Sequence, residues 1–322
     1  MRRIAAAFAL WLCATVPAFA QNAENLPIVG WLRINTPDAA EPAATLLRDA
    51  LAVLGRVDGH NIHIDQRLAE GHPERLPELA EALIREKASV ILATGIHAIM
   101  AAQRATRTIP IVAADDDDLL AEGLIGSLAK PGGNTTGISI LATELDGKRL
   151  EILKEILPSS RRVALLRDPA NSAPARFQGV VDTARELGTE LQSVDVRGFA
   201  DLAPAFASFR AGGAKAVNVL ASPLLNGFRE ELGRLSLDQK LPTMCQWREM
   251  AEAGCLAAYG PTLRELSAMR AALTDKMLKG ARPDETPVQQ PTRFELVINL
   301  KAAEAFGLTI PPAILARAEV IE

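Results

Sequence analysis

The chain has 322 residues, 48% of them hydrophobic and 23% charged, with 35 Lys and Arg against 39 Asp and Glu. That length exceeds a typical single core and predicts two domains of roughly 150 residues each. A formal net charge of −4, with no basic stripe, removes any electrostatic reason to expect a nucleic-acid partner.

The first segment, "MRRIAAAFALWLCATVPAFAQ", reads as an address. Arg2 and Arg3 precede an apolar stretch from Ile4 to Val16, then Pro17 and the small-x-small site Ala18-Phe19-Ala20. This is the layout of a secretory signal peptide over 1–20, cut after Ala20. The apolar stretch is shorter than the roughly 20 residues that span a bilayer. Leu12 before Cys13 is too large for a usual lipoprotein site, so no lipid anchor is expected. The mature protein is expected in the periplasm. There its two cysteines, Cys245 and Cys255, are either separately buried thiols or a disulfide, and spacing alone does not choose.

The rest of the chain alternates β-rich runs with helical patterns. "PIVGWLRI" (27–34) predicts a strand and "AATLLRDALAVLG" (43–55) a helix closed by Gly55. The strand "NIHIDQRLA", the amphipathic "PERLPELAEALIREK", the buried strand "SVILATG" and the helix "IHAIMAAQRAT" follow. Next come the strand "IPIVAA", the acidic corner Asp115 to Asp118, an expected helix "LLAEGLIGSLA", the turn "KPGGN" and the strand "TTGISIL". The same grammar restarts at "RVALLRD" (162–168) and runs on through further strands to "CLAAYG". A helix at 261–280, a polar connector "ARPDETPVQQP" and a final strand-helix unit close the chain. Strands separated by helices of this length predict parallel βαβ units, hence an α/β fold of two Rossmann-like lobes. The extra unit after two complete lobes implies that the chain crosses between them more than once.

In open α/β sheets a ligand lies beyond the carboxyl ends of the strands. At the corner "ATGIHA", Thr94 and the start of the following helix are either a binding site for a carboxylate or an ordinary capped turn. In the acidic corner, Asp116 or Asp118 either meets a ligand ammonium or caps the next helix. A metal is not expected, because the spacing lacks the Gly and distal Glu of a calcium loop. His97 stands in the first turn of a corner helix and either lines the cleft or packs. His60 and His63, three apart on an alternating strand, face opposite ways and are not read as ligands.

Trp31 is expected in the core, whereas Trp247 and Tyr259 end strands, where a ring stacks on a ligand or packs the hinge. No nucleophile elbow, Walker loop, dinucleotide fingerprint or zinc-protease helix occurs, so neither catalysis nor a cofactor is expected.

Several stretches together resemble a known family. "IVGWLRINTPD", "ILATGIHA", "LIGSLAKPGGNTTGIS", "LLRDPANS", "MAEAGCLAAYGP" and the closing "PVQQPTRFELVINLKAAEAFGLTIPPAILARAEVIE" are similar to ABC-transporter substrate-binding proteins of the group that includes bacterial tryptophan and tyrosine binders. The likeness runs from about Pro27 to Glu322. It implies a type I periplasmic binding fold with three hinge crossovers. The expected lobes are 26–141 plus 253–284, and 142–252 plus 285–322.

By this resemblance Asn35 and Thr36 contact ligand at the first corner, and Thr94, Gly95 and His97 hold a ligand carboxylate. Asp118 takes the family's acidic position, Asn171 the Asn of an "NPAN"-like turn, and Ser222-Pro223 the second-lobe corner. Departures occur at Leu119, where Pro is usual, at Arg167, where a small or polar residue is common, and at "ASPLLNG", which lacks the usual aromatics. The implied protein is a monomer that captures an aromatic or branched amino acid, or an aromatic carboxylate, and delivers it to permease and ATPase subunits. The alternatives are an exported α/β enzyme and a periplasmic ligand sensor for a membrane receptor.

Overall fold

The computed structural model describes residues 26–140, 142–172 and 174–322; the expected signal peptide lies outside the described residues. The first lobe contains β1 (Ile28–Arg33), α1 (Pro37–Val53), β2 (His63–Leu68), α2 (Leu76–Arg85), β3 (Val90–Thr94), α3 (Ile96–Ala105), β4 (Ile111–Asp115) and β5 (Thr135–Ser139). The strands form a parallel sheet in the order β2-β1-β3-β4-β5. Both faces are covered, so β3, β4 and β5 are buried almost throughout. Val29, Trp31, Val90 and Leu92 face α1, with its buried Leu47 and Leu51; Leu32 and Ile91 face α2 and α3. Strand alternation thereby sends Trp31 and Arg33 to one side of the sheet and Leu32 to the other.

The second lobe contains α4 (Ala142–Ile156), β6 (Arg162–Arg167), α5 (Pro174–Glu186), β7 (Glu190–Asp195), α6 (Leu202–Ala211), β8 (Val217–Val219), α7 (Pro223–Gly227), α8 (Arg229–Asp238), β9 (Thr243–Cys245), α9 (Arg248–Glu252) and β10 (Ala257–Pro261). The chain then places α10 (Leu263–Leu278) on the first lobe, against α1, and returns with β11 (Phe294–Asn299), α11 (Leu300–Ala305), α12 (Pro312–Leu315) and β12 (Glu319–Ile321). The second sheet runs β12-β11-β10-β9-β8-β6-β7, with the β10–β11 pair antiparallel. Its first five strands in chain order repeat the winding of the first lobe.

The structure moves two expected lobe boundaries. The return to the first lobe falls at Thr262 rather than at 253, because β10 is hydrogen-bonded to β9 and β11. The last crossing falls after Gln289 rather than at 285. Gln289 N donates to Gly137 O and Ser139 N to Gln289 O, so the connector runs along β5 as an added edge.

The expected helix over "LLAEGLIGSLA" is absent: 119–129 is a series of turns. Gly123 adopts φ +69° and Gly126 N donates to Pro131 O, so the segment folds back on itself. Each glycine costs a helix interior about 1 kcal/mol. Helix α1 begins earlier than expected, at Pro37, where the missing N–H costs nothing. Cys245 and Cys255 are both fully buried with their Sγ atoms 2.6 Å apart, and burial pushes a Cys245 thiol well above its usual range.

Candidate functional site

The strand order of the first sheet reverses at β1, whose neighbours β2 and β3 are reached in opposite directions. A doubly wound sheet opens its ligand crevice at this switch point. Trp31 and Arg33 on β1 and Thr94 at the end of β3 stand there. They line a crevice covered by the second lobe, with ≈ 610 Å³ of empty space when the open solvent at its mouth is included.

Trp31 forms one wall. Its indole Nε1 donates to Thr94 Oγ1 at 3.0 Å, which fixes the ring. The guanidinium carbons of Arg33 and Arg270 lie 4.2 and 5.0 Å from the ring centroid, in cation–π range. Arg270 reaches the cavity from α10 along with Leu263 and Leu266, since spacings of three and four residues share a helix face. Burial, then the neighbouring Arg270 charge, lowers Arg33 to about 9; burial lowers Arg270 to about 10. Both are therefore cations at neutral pH.

Asp115, the last residue of β4, and Asp116 after it bring two carboxyl groups to the same lining. Burial, then the adjacent Asp116 and Asp117 carboxylates, pushes Asp115 well above the usual carboxylate range, and its Oδ1 has no hydrogen-bond partner among the described residues. Burial also raises Asp116, against the opposing influence of Arg176. The second lobe closes the cavity with Pro223 and Asn226 of α7 and with Trp247, which follows β9. Trp247 is 7% exposed and caps an apolar rim with Ile140.

The lobes are held together around this space by direct bonds. Asn35 Nδ2 donates to Pro223 O at 3.1 Å, Gln246 Nε2 to Asp116 Oδ1 at 2.8 Å, and Arg229 Nη2 to Asp38 O at 3.2 Å. Arg176 Nη1 reaches Asp117 Oδ2 at 3.3 Å while its Nε donates to Asp146 Oδ2.

Of the residues singled out in the sequence, Asn35, Thr94, Asp116, Pro223 and Trp247 line the cavity. Gly95, His97 and Asn171 line a separate small cleft between the lobes, and Thr36 lines another beside Phe228. Asn171 Nδ2 donates to Ala221 O, and Ser222 is occupied structurally: its Oγ donates to Asp168 Oδ2 and caps α7. Asp118 lies away from the cavity, its Oδ1 accepting from Leu120 N, so the acidic corner caps a turn at this position. Tyr259 is also elsewhere, its ring 6.2 Å from that of Phe294 and its carbonyl accepting from Arg149 Nε.

The sequence reading missed Arg33, Asp115, Asn226 and Arg270, and it placed Trp31 only in the core. One signal was present in the sequence: Arg33 ends an otherwise apolar strand, and Arg270 interrupts the buried face of α10 that carries Leu266, Ala271 and Leu273.

Known proteins share this architecture. Residues 34–321 match the family described as ABC transporter substrate binding protein. A tyrosine-binding protein of Clostridioides difficile (strain R20291) is 24% identical over 260 residues, covering 80% of this chain and 74% of that protein. A conserved domain protein from Vibrio cholerae superposes with a TM-score of 0.85 at 26% identity, over 92% of this chain and 100% of its own. The ABC domain from Streptococcus pneumonia in complex with L-Trp gives 0.84 at 22% identity, over 92% and 100%. A ligand-free, open substrate-binding protein with adhesive properties from Clostridium difficile gives 0.65 at 21% identity, over 92% and 99%. The fold is that of the type I periplasmic binding proteins. The chain belongs to the ABC transporter substrate binding protein family.

Proposed function

We propose that this chain is the periplasmic receptor of an ABC importer and that it carries one aromatic amino acid between its lobes to permease and ATPase subunits. The observation that carries this reading is the polarity of the closed cavity. Two arginines and two aspartates flank a space walled by Trp31 and Trp247. A zwitterion with a flat apolar side chain complements that arrangement, since opposite charges meet through charge-assisted bonds and aromatic rings favour offset or edge contacts. The tyrosine-binding relative and the L-Trp complex support the same ligand class.

In this reading the ammonium meets Asp115 and Asp116 instead of Asp118, because the first two line the cavity and Asp118 does not. The protein acts as a monomer without catalysis, and closure of the lobes is the signal to the transporter. A ligand that touches both lobes favours closure by its differential affinity for the closed form. None of the described helices is long and apolar enough to cross a membrane. Native mass spectrometry of protein purified gently from its host tests the assignment. A one-to-one adduct with the mass of tryptophan, tyrosine or phenylalanine is expected; a sugar or nucleoside adduct would reject the amino-acid reading.

A further inference from the structure

Among the described residues four arginines are almost wholly buried: Arg33, Arg149, Arg176 and Arg270 are 4%, 0%, 1% and 5% exposed. Arg149 and Arg176 share the carboxylate of Asp146, and Arg176 also pairs with Asp117. Their charges are neutralised inside the protein. Arg33 and Arg270 differ. Neither has an ion pair among the described residues, and the Nε of each is buried without a hydrogen-bond partner there. Arg33 Nη1 donates to the carbonyl of Ala40, while the Arg270 guanidinium has no hydrogen bond among the described residues and rests against the Trp31 ring. A guanidinium removed from water without a carboxylate is strongly unfavourable. Two such groups beside one indole, lining one cavity, leave a place for an anion.

We infer that Arg33 and Arg270 form a two-guanidinium clamp that binds the carboxylate of the transported ligand. The inference rests on the reading of this cavity as the ligand site and gives the acid end of the ligand its residues. Planar guanidinium forks suit a carboxylate, which accepts paired N–H donors from them. The helix start at "ATGIHA" serves this purpose less well. Gly95 N already donates to Ala114 O at 2.9 Å, Thr94 Oγ1 accepts from Trp31, and Gly95 and His97 open onto the other cleft.

Both clamp residues belong to the first lobe, Arg33 through β1 and Arg270 through α10. The acid end therefore docks on that lobe before closure, and the second lobe then adds Trp247 and Asn226 over the remainder of the ligand.

The test is a thermal-shift and titration panel on ligand-freed protein with L-tryptophan, L-tyrosine, L-tryptophanamide, indole-3-propionate, leucine, leucinamide, glutamate and its α-amide isoglutamine. The parent is expected to bind acids at least about tenfold more tightly than the matching amide, as for loss of a hydrogen bond to a charged group. In Arg270→Met the acid weakens by about that factor and the acid-to-amide ratio falls towards one. Ligand-free Arg270→Met is expected to melt no lower than the parent, because the exchange removes an unpaired buried charge. Arg33→Met provides an independent second case. Equal binding of acid and amide by the parent overturns the clamp. So does a ligand-free melting temperature of Arg270→Met that falls as far as that of Arg149→Met, or a panel in which no carboxylate binds. If leucine or glutamate binds with full acid-to-amide discrimination and the aromatic compounds do not, the clamp stands and the aromatic reading of the cavity falls.

Discussion

Gln246 Nε2 donates to Asp116 Oδ1 at 2.8 Å, and the two residues belong to opposite lobes. The bond crosses from one lobe to the other and ties the rim beside Trp247 to the acidic end of the cavity. Gln246→Ala should weaken closure without disturbing either lobe. A hydrogen bond to an ionisable partner contributes about 1.5–3 kcal/mol, so ligand affinity is expected to fall by roughly 10- to 100-fold. The ligand-free melting temperature should stay near that of the parent. Titration calorimetry with scanning calorimetry on the ligand-free variant checks both expectations.

Gly95 reports on the same closure from the other side of the crevice. Its φ of +85° is a conformation that side-chain-bearing residues rarely adopt, and a Cβ there would lie 3.1 Å from Pro223 Cγ of the second lobe. Gly95→Ala therefore adds backbone strain of about 1–3 kcal/mol and a contact a few tenths of an ångström too tight where the lobes meet. Small-angle scattering at saturating ligand should show a larger radius of gyration for the variant than for the parent.

How far the sequence reveals the site depends on whether each residue's role is set locally or by distant packing. The alternation of β-rich and helical runs reports sheet and helix directly, because periodicity is local. Asn35, Thr94, Asp116, Pro223 and Trp247 were accessible since strand ends in such folds face the crevice. Arg270 was hidden because its role depends on α10 crossing back to pack on α1, and an arginine on a helix reads as surface until its neighbours are known. Asp118 looked equivalent to Asp116, but one residue of turn geometry points it at Leu120 N. Ser222 stands at the right corner with its hydroxyl already engaged, because the buried carboxylate of Asp168 accepts from it. The expected helix after the acidic corner failed for a local reason, Gly123 and Gly126, that the apolar pattern outweighed.

Asp117 gives the fold a pH dependence. Burial raises it from 3.8 to about 6, against the opposing pull of Arg176 and with the help of Asp116 and Asp146. A carboxyl group whose folded pKa is raised stabilises the fold fully below the unfolded value and loses that contribution as pH climbs through the folded value. Stability from this group should therefore fall between about pH 4 and pH 6, by at most about 3 kcal/mol. Asp115 and Asp116, also raised, act in the same direction. Urea denaturation across that range should show a shallower decline for Asp117→Asn than for the parent.

Asp146 holds the second lobe's buried charges. Its carboxylate accepts from Arg149 Nη1, from Arg176 Nε at 2.7 Å and from Ala221 N at 3.2 Å. Asp146→Ala leaves Arg149 without a carboxylate and Arg176 with Asp117 alone, and removing one partner of a buried pair costs about 3–5 kcal/mol. A loss of that size in denaturant unfolding is expected, far more than for Arg270→Met.

The most direct measurement is isothermal titration of ligand-freed mature protein with L-tryptophan and L-tyrosine, repeated on an Asp115→Asn, Asp116→Asn double variant. One-to-one binding with a dissociation constant of about 1 μM or tighter, weakened at least about tenfold in the double variant, is the result expected of a zwitterion held between the arginines and the aspartates. No binding of either amino acid, or binding that the double variant leaves unchanged, would contradict the assignment of this cavity as an aromatic amino-acid site.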